Sequence, residues 1–133
     1  QSSGIQWYNG SFTTTGATAT AIGSGAANTT TIIQAQGATQ TNYAAGLAKA
    51  YNGGGFTDWF LPSKDELNEM YQNKSSINNT ATSNGGSGFG SALYWSSSET
   101  NSQFATKQNF GTGFQATGAL KSDVPKARAI RAF

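Results

Sequence analysis

Residues 55–71 read GFTDWFLPSKDELNEMY, an aromatic segment, a turn and a fully signalled helix start in one short stretch. Ser63 is a good N-cap, Pro62 before it cannot continue a helix backwards, and Glu66 stands three residues on, so Ser63 and Glu66 can form a capping box. The helix therefore starts at Lys64. Asp65 and Glu66 fall in its first turn, where the macrodipole favours negative charge, and they are expected to face water. Leu67, Met70 and Tyr71 follow at i, i+3 and i+4 and make the core face.

Upstream, Thr41 or Asn42 is read as the cap of a second helix carrying Tyr43, Ala44, Leu47, Ala50 and Tyr51 at helical spacing, stopped by Gly53-Gly54-Gly55. Residues 29–33, with Asn28 as cap and Gly37 as stop, read as a short helix or a strand, the helix being favoured. Residues 4–9 (GIQWYN) read as a strand ending in the Asn9-Gly10 turn signal. Residues 12–22 fit either a strand or an ordered loop. Downstream, the helix frays near Asn73, and residues 78–90 read as a Gly/Ser/Asn-rich loop of the functional or mobile kind. A meander over 93–97, 103–110 and 114–119, with its last turn at Gly111 and Gly113, leads to a final strand over 126–133. Helices followed by an antiparallel meander make an α+β chain, read as a single domain over 1–133 with two helices packed on a small antiparallel sheet and long loops.

Three blocks in order carry a resemblance: GFTDWFLPSKDELNEMY, then Tyr94-Trp95-Ser96-Ser97-Ser98-Glu99, then Ala127-Arg128-Ala129-Ile130-Arg131-Ala132-Phe133. Together with Gly4-Ile5-Gln6-Trp7 they resemble the C-terminal domain of the Legionella collagen-like adhesin, a module of many bacterial surface and secreted proteins. The resemblance implies a C-type-lectin-like fold, often trimeric, that binds polysaccharide, including sulfated glycosaminoglycan. It also implies a Gly-Gly-x-Val-Phe-type strand upstream of Gln1, so the first strand is expected to be missing here, either removed or replaced at its edge by pairing with another copy.

Charged residues make up 11% of the chain and residues 1–48 contain none, against about 25% in an average soluble domain. Hydroxyls and amides must therefore keep the surface wet, as in extracellular β-rich proteins, and three Trp, eight Phe and five Tyr argue against disorder. No apolar run approaches the roughly 20 residues that span a bilayer, so no membrane insertion is expected. The net charge of +2 with no basic helix is a poor footprint for nucleic acid. Locally the C-terminal end is basic, with Lys121, Lys126, Arg128 and Arg131 against Asp123.

With no His and no Cys, the commonest general base, the thiol nucleophile and the usual zinc ligands are missing. Asp58 and Glu99 form the sole carboxylate pair from separate elements suited to glycoside hydrolysis. Their simpler role is structural: Asp58 bonds local backbone, and Glu99 pairs with Arg128 or Arg131. No enzyme and no catalytic residue is expected. No cofactor is expected either, and no carboxylate cluster suits calcium, although Asn78, Asn79, Asn84 and backbone carbonyls leave room for a weak site.

Sugars ask for flat aromatic faces, planar amides and guanidinium groups. Trp59 and Trp95 read as core. Trp7 and Tyr8, adjacent on an extended segment, must point to opposite faces, so one of them is exposed. The ligand-binding residues expected from sequence are Trp7, Tyr8, Lys121, Lys126, Arg128 and Arg131. The function expected is a secreted or cell-surface, extracellular module that adheres to polysaccharide or glycan, sulfated or anionic types included, as a trimer or other homo-oligomer. The alternative is a structural subunit of an extracellular filament or phage-like appendage.

Overall fold

The structure, a computed structural model, describes residues 1–37 and 41–132. Four α-helices precede a three-stranded antiparallel sheet: α1 (Gly25–Gln36), α2 (Ala44–Ala50), α3 (Lys64–Gln72), α4 (Lys74–Ser83), β1 (Leu93–Glu99), β2 (Phe104–Asn109) and β3 (Gln115–Leu120). The strands lie in the order β1-β2-β3, as a meander requires. The chain is α+β; α1, α2 and α3 fall where the sequence favoured helices, and α4 is the one it did not anticipate.

α3 begins where its cap says. Ser63 accepts from the Glu66 backbone N–H while the Glu66 carboxylate accepts from Ser63 N–H, so both orphan donors are satisfied. Glu66 does not simply face water: its other oxygen accepts from Gly23 N–H at 2.8 Å, tying the loop before α1 to the start of α3. Leu67 is buried, with Met70 and Tyr71 packed beside it on Phe89, Tyr94 and Phe110.

The longer α1 and the added α4 have identifiable causes. α1 starts at Gly25, and Asn28 lies inside it, donating from its side chain to Ala19 O at 2.7 Å instead of capping. A tertiary bond thus outbids the local capping preference. α4 takes up residues 74–83, of which 78–83 read as loop, and Asn78 closes the turn after it by accepting from Phe89 N–H and donating to Phe89 O. α2 begins one residue later than expected, with Tyr43 at the N-cap position. Tyr43 lies in the core, and the Ala44 N–H that a cap would have satisfied donates to Gln6 O.

No strand forms over residues 4–9 or 56–61. The N-terminal segment instead bonds backbone to backbone with the C-terminal one: Ser2 N to Ala127 O, Ile5 N to Pro125 O and Trp7 N to Lys121 O. The expected last strand is reduced to two isolated bridges, Tyr94 with Lys126 and Phe60 with Ile130; Phe133 lies outside the described residues.

β1 is buried from Tyr94 to Glu99. Its polar run is affordable because each group is bonded: Ser96 Oγ to Thr106 O, Ser97 N to Pro62 O, Ser98 Oγ to Ala19 O and Glu99 N to Ala17 O. Trp95 and Trp7 sit in the larger core cluster with Ile32, Tyr43 and Leu61, and their indole N–H groups donate to Ile5 O and Ser96 O.

Candidate functional site

Two of the six residues expected to bind ligand are core residues. Trp7 is 1% exposed and Lys121 is fully buried. Trp7 points inward because its indole N–H reaches Ser96 O while its ring carries the Lys121 ammonium 4.7 Å from its centroid. Lys121 points inward because Glu99 is there to pair with it. Glu99 therefore does not pair with Arg128 or Arg131, and the candidate carboxylate pair is dissolved: Asp58 is taken by Arg131 at 2.7 and 3.0 Å.

Tyr8 is half-buried and stacks on Phe12 at 4.9 Å. Lys126 is half-buried and bridges to β1 through its backbone. Neither joins the other candidates.

Arg128 and Arg131 do come together with aromatic rings. The extended segment 127–131 runs past the C-terminal end of α2 and the Gly53–Gly55 turn, and between them lies a groove of about 740 Å³ whose wall includes Tyr51, Asn52, Trp59, Gln1 and Arg128. It continues past Tyr51, Trp59 and Ala129 into a second hollow of about 510 Å³ reaching Phe56 and Arg131. Tyr51 meets Trp59 edge to face at 4.8 Å. Tyr51 and Phe56 remain 49% and 46% exposed, and Trp59 is half-buried, its indole N–H donating to Gly53 O at 3.2 Å.

The glycines shape this wall. A Cβ on Gly53 would stand 2.1 Å from the Tyr51 hydroxyl oxygen, so Tyr51 lies over bare backbone, and Gly54 takes a positive φ of 70° beneath the Phe56 ring. Each guanidinium is backed by a ring, Arg131 over Phe56 at 3.6 Å and Arg128 over Phe89 at 4.3 Å. Arg131 and Asp58 hold each other charged: their hydrogen bonds push the arginine pKa up and the aspartate pKa down. Burial pulls Arg128 down from its ordinary value, yet a guanidinium remains a cation at neutral pH. Arg128 bonds Gln1 Oε1 at 3.3 Å and has no carboxylate partner among the described residues.

Of the six candidates the structure brings Arg128 and Arg131 to these hollows; Tyr51, Phe56 and Trp59 beside them were not among the candidates, Tyr51 having been placed on a helix face and Trp59 in the core. The available signal was the glycine triplet between aromatics, which lets rings lie flat on backbone. Among the described residues, no three His, Cys, Asp or Glu side chains gather to hold a metal, and no helix is long and apolar enough to cross a membrane.

The family model described as the Lcl C-terminal domain matches residues 1–131. No curated protein and no solved structure matches the chain.

Proposed function

The chain belongs to the Lcl C-terminal domain family, which is one of adhesin-type surface domains, and from that premise we propose that it binds polysaccharide, anionic glycans foremost, in the groove of Tyr51, Trp59 and Arg128. One observation carries the reading: the exposed Tyr51 ring, the half-buried Trp59 indole and a guanidinium with no carboxylate partner among the described residues line the same concave wall. Aromatic faces suit the C–H faces of sugar rings, and guanidinium matches the planar oxygens of carboxylate or sulfate. The role is adhesion without catalysis, since Glu99 and Asp58 are each engaged by a cation. A single open groove binds weakly, and display in several copies on an extracellular surface raises avidity by about 10²–10⁴.

A heparin column and a glycan array test it. Arg128→Ala and Tyr51→Ala should each lower the salt needed for elution, whereas Lys126→Ala, outside the groove, should leave it unchanged. Retention untouched by both groove substitutions would refute the reading.

A second reading, a structural subunit of an extracellular filament or appendage, rests on the exposure of Phe114 (70%), Val124 (67%) and Ile22 (66%). Light scattering and electron microscopy separate the two: filaments favour the structural subunit, a discrete particle the adhesin.

A further inference from the structure

Three Asn-Gly dipeptides occur in the chain, at Asn9, Asn52 and Asn84. Their side chains are held very differently. Asn9 donates from Nδ2 to Gln36 O at 2.8 Å and accepts at Oδ1 from Ser11 N–H at 3.3 Å. Asn84 donates from Nδ2 to Thr80 O at 2.8 Å, and the N–H of the glycine after it is engaged with Thr82 O at 3.1 Å. The Asn52 side chain is exposed, lines the groove and has no hydrogen-bond partner among the described residues.

We infer that Asn52 is a self-deamidating residue whose conversion to aspartate or isoaspartate cancels the surplus positive charge of the groove. The backbone nitrogen of Gly53 forms a bond to Asn52 Cγ and gives up its proton, and Nδ2 leaves as ammonia, closing a five-membered imide. Water then adds to either imide carbonyl carbon, the ring C–N bond breaks, and the nitrogen regains its hydrogen. Water enters, ammonia leaves, and nothing is oxidised or reduced.

The glycine after Asn52 matters twice. It puts no side chain in the path of the closing ring, and it lets the backbone turn from its present φ of −130° and ψ of 24°. That rotation is opposed locally by Gly55 N–H to Asn52 O at 3.0 Å, Phe56 N–H to Gly53 O at 3.5 Å and the Trp59 indole N–H to Gly53 O at 3.2 Å. Asn9 and Asn84 must break side-chain bonds, and Asn52 has none to break among the described residues. One or two fewer side-chain bonds to break corresponds to a rate about tenfold higher at Asn52.

The consequence for binding rests on the proposed glycan reading. The Arg128 guanidinium in the groove has no carboxylate partner among the described residues, whereas Arg131 is paired with Asp58. A new carboxylate at position 52 offsets the Arg128 charge, so retention of anionic glycan would decline as the protein ages.

Peptide mapping of folded protein incubated at neutral pH, with isoaspartate labelled enzymatically, tests the chemistry. The expected result is ammonia loss at Asn52 about ten times faster than at Asn9 and Asn84; equal or slower loss at Asn52 overturns the inference. Asn52→Asp should elute from heparin at lower salt, and the elution of Asn52→Gln, whatever its starting point, should not shift with age as that of the unsubstituted protein does. Undiminished retention of Asn52→Asp, while Arg128→Ala loses it, overturns the charge link. Should Arg128→Ala and Tyr51→Ala also retain fully, the glycan reading has failed, and the mapping result stands on its own.

Discussion

Lys121 and Glu99 form an ion pair with both side chains fully buried, Nζ lying 2.5 Å from Oε1. The Glu99 carboxylate also accepts from the backbone N–H groups of Thr15 and Gly16, and Lys121 donates to Thr13 O at 2.8 Å. One pair thus fastens the charge-free N-terminal strap across the ends of β1 and β3. Burial lowers the Lys121 pKa and its bond to Glu99 opposes that, so removing the acid leaves an ammonium in a dry site. Lys121→Met or Glu99→Gln alone should cost about 3–5 kcal/mol in urea denaturation, and the double replacement Lys121→Met with Glu99→Leu should recover part of the loss.

Gly25 opens α1 where three groups converge. A Cβ there would stand 2.2 Å from Glu66 Oε2, 2.8 Å from Leu61 O and 2.9 Å from Ser63 N. Two of the three are backbone atoms next to the α3 cap, which cannot swing aside. Gly25→Ala should destabilise by about 1–3 kcal/mol. Gly118, in β3 with open space around it, is the control: Gly118→Ala should leave the thermal midpoint unchanged or slightly raised.

What could be read in the sequence was what local chemistry decides. The α3 cap is a local bargain between Ser63 and Glu66, and the meander turn at Gly113 needs its positive φ of 84°, so both stood in the letters. Asn28, Lys121 and Trp7 were misread because their partners are distant in sequence: Ala19 and Ser97, Glu99, and Ser96. A lysine near a basic C-terminus reads as surface until the acid that neutralises it is known. The aromatic wall was hidden for the complementary reason. Tyr51 and Trp59 have core-like spacing, and only the missing side chains of the glycine triplet show that they pack on backbone at the surface.

Asp58 and Arg131 supply a pH signature. The hydrogen bond from Arg131 holds the folded-state Asp58 pKa below its unfolded value. A depressed carboxylate pKa gives stability that is present above the unfolded value, near pH 4, and lost as pH falls through the folded one. Asp58 is exposed and Arg131 half-buried, so salt should weaken the effect. Asp58→Asn should flatten the acid limb of a Tm-against-pH curve below about pH 4 without moving the neutral plateau much; an unchanged acid limb would show that the pair carries no linkage.

Tyr51 owes its place in the groove to the absence of a side chain on Gly53. A methyl group there would lie 2.1 Å from the phenol oxygen and 2.3 Å from Cζ, so the ring must leave its present place over Gly53 and against Trp59. Because the obstructed group is the far end of an exposed side chain, the cost in stability should be small, about 1 kcal/mol or less. The cost in binding should be large, since the stacking face is displaced. Gly53→Ala should therefore reproduce the elution of Tyr51→Ala from heparin while keeping a near-normal Tm. Retention at the unsubstituted level would mean that the sugar does not use the Tyr51 face, and that the guanidinium of Arg128 holds the ligand alone.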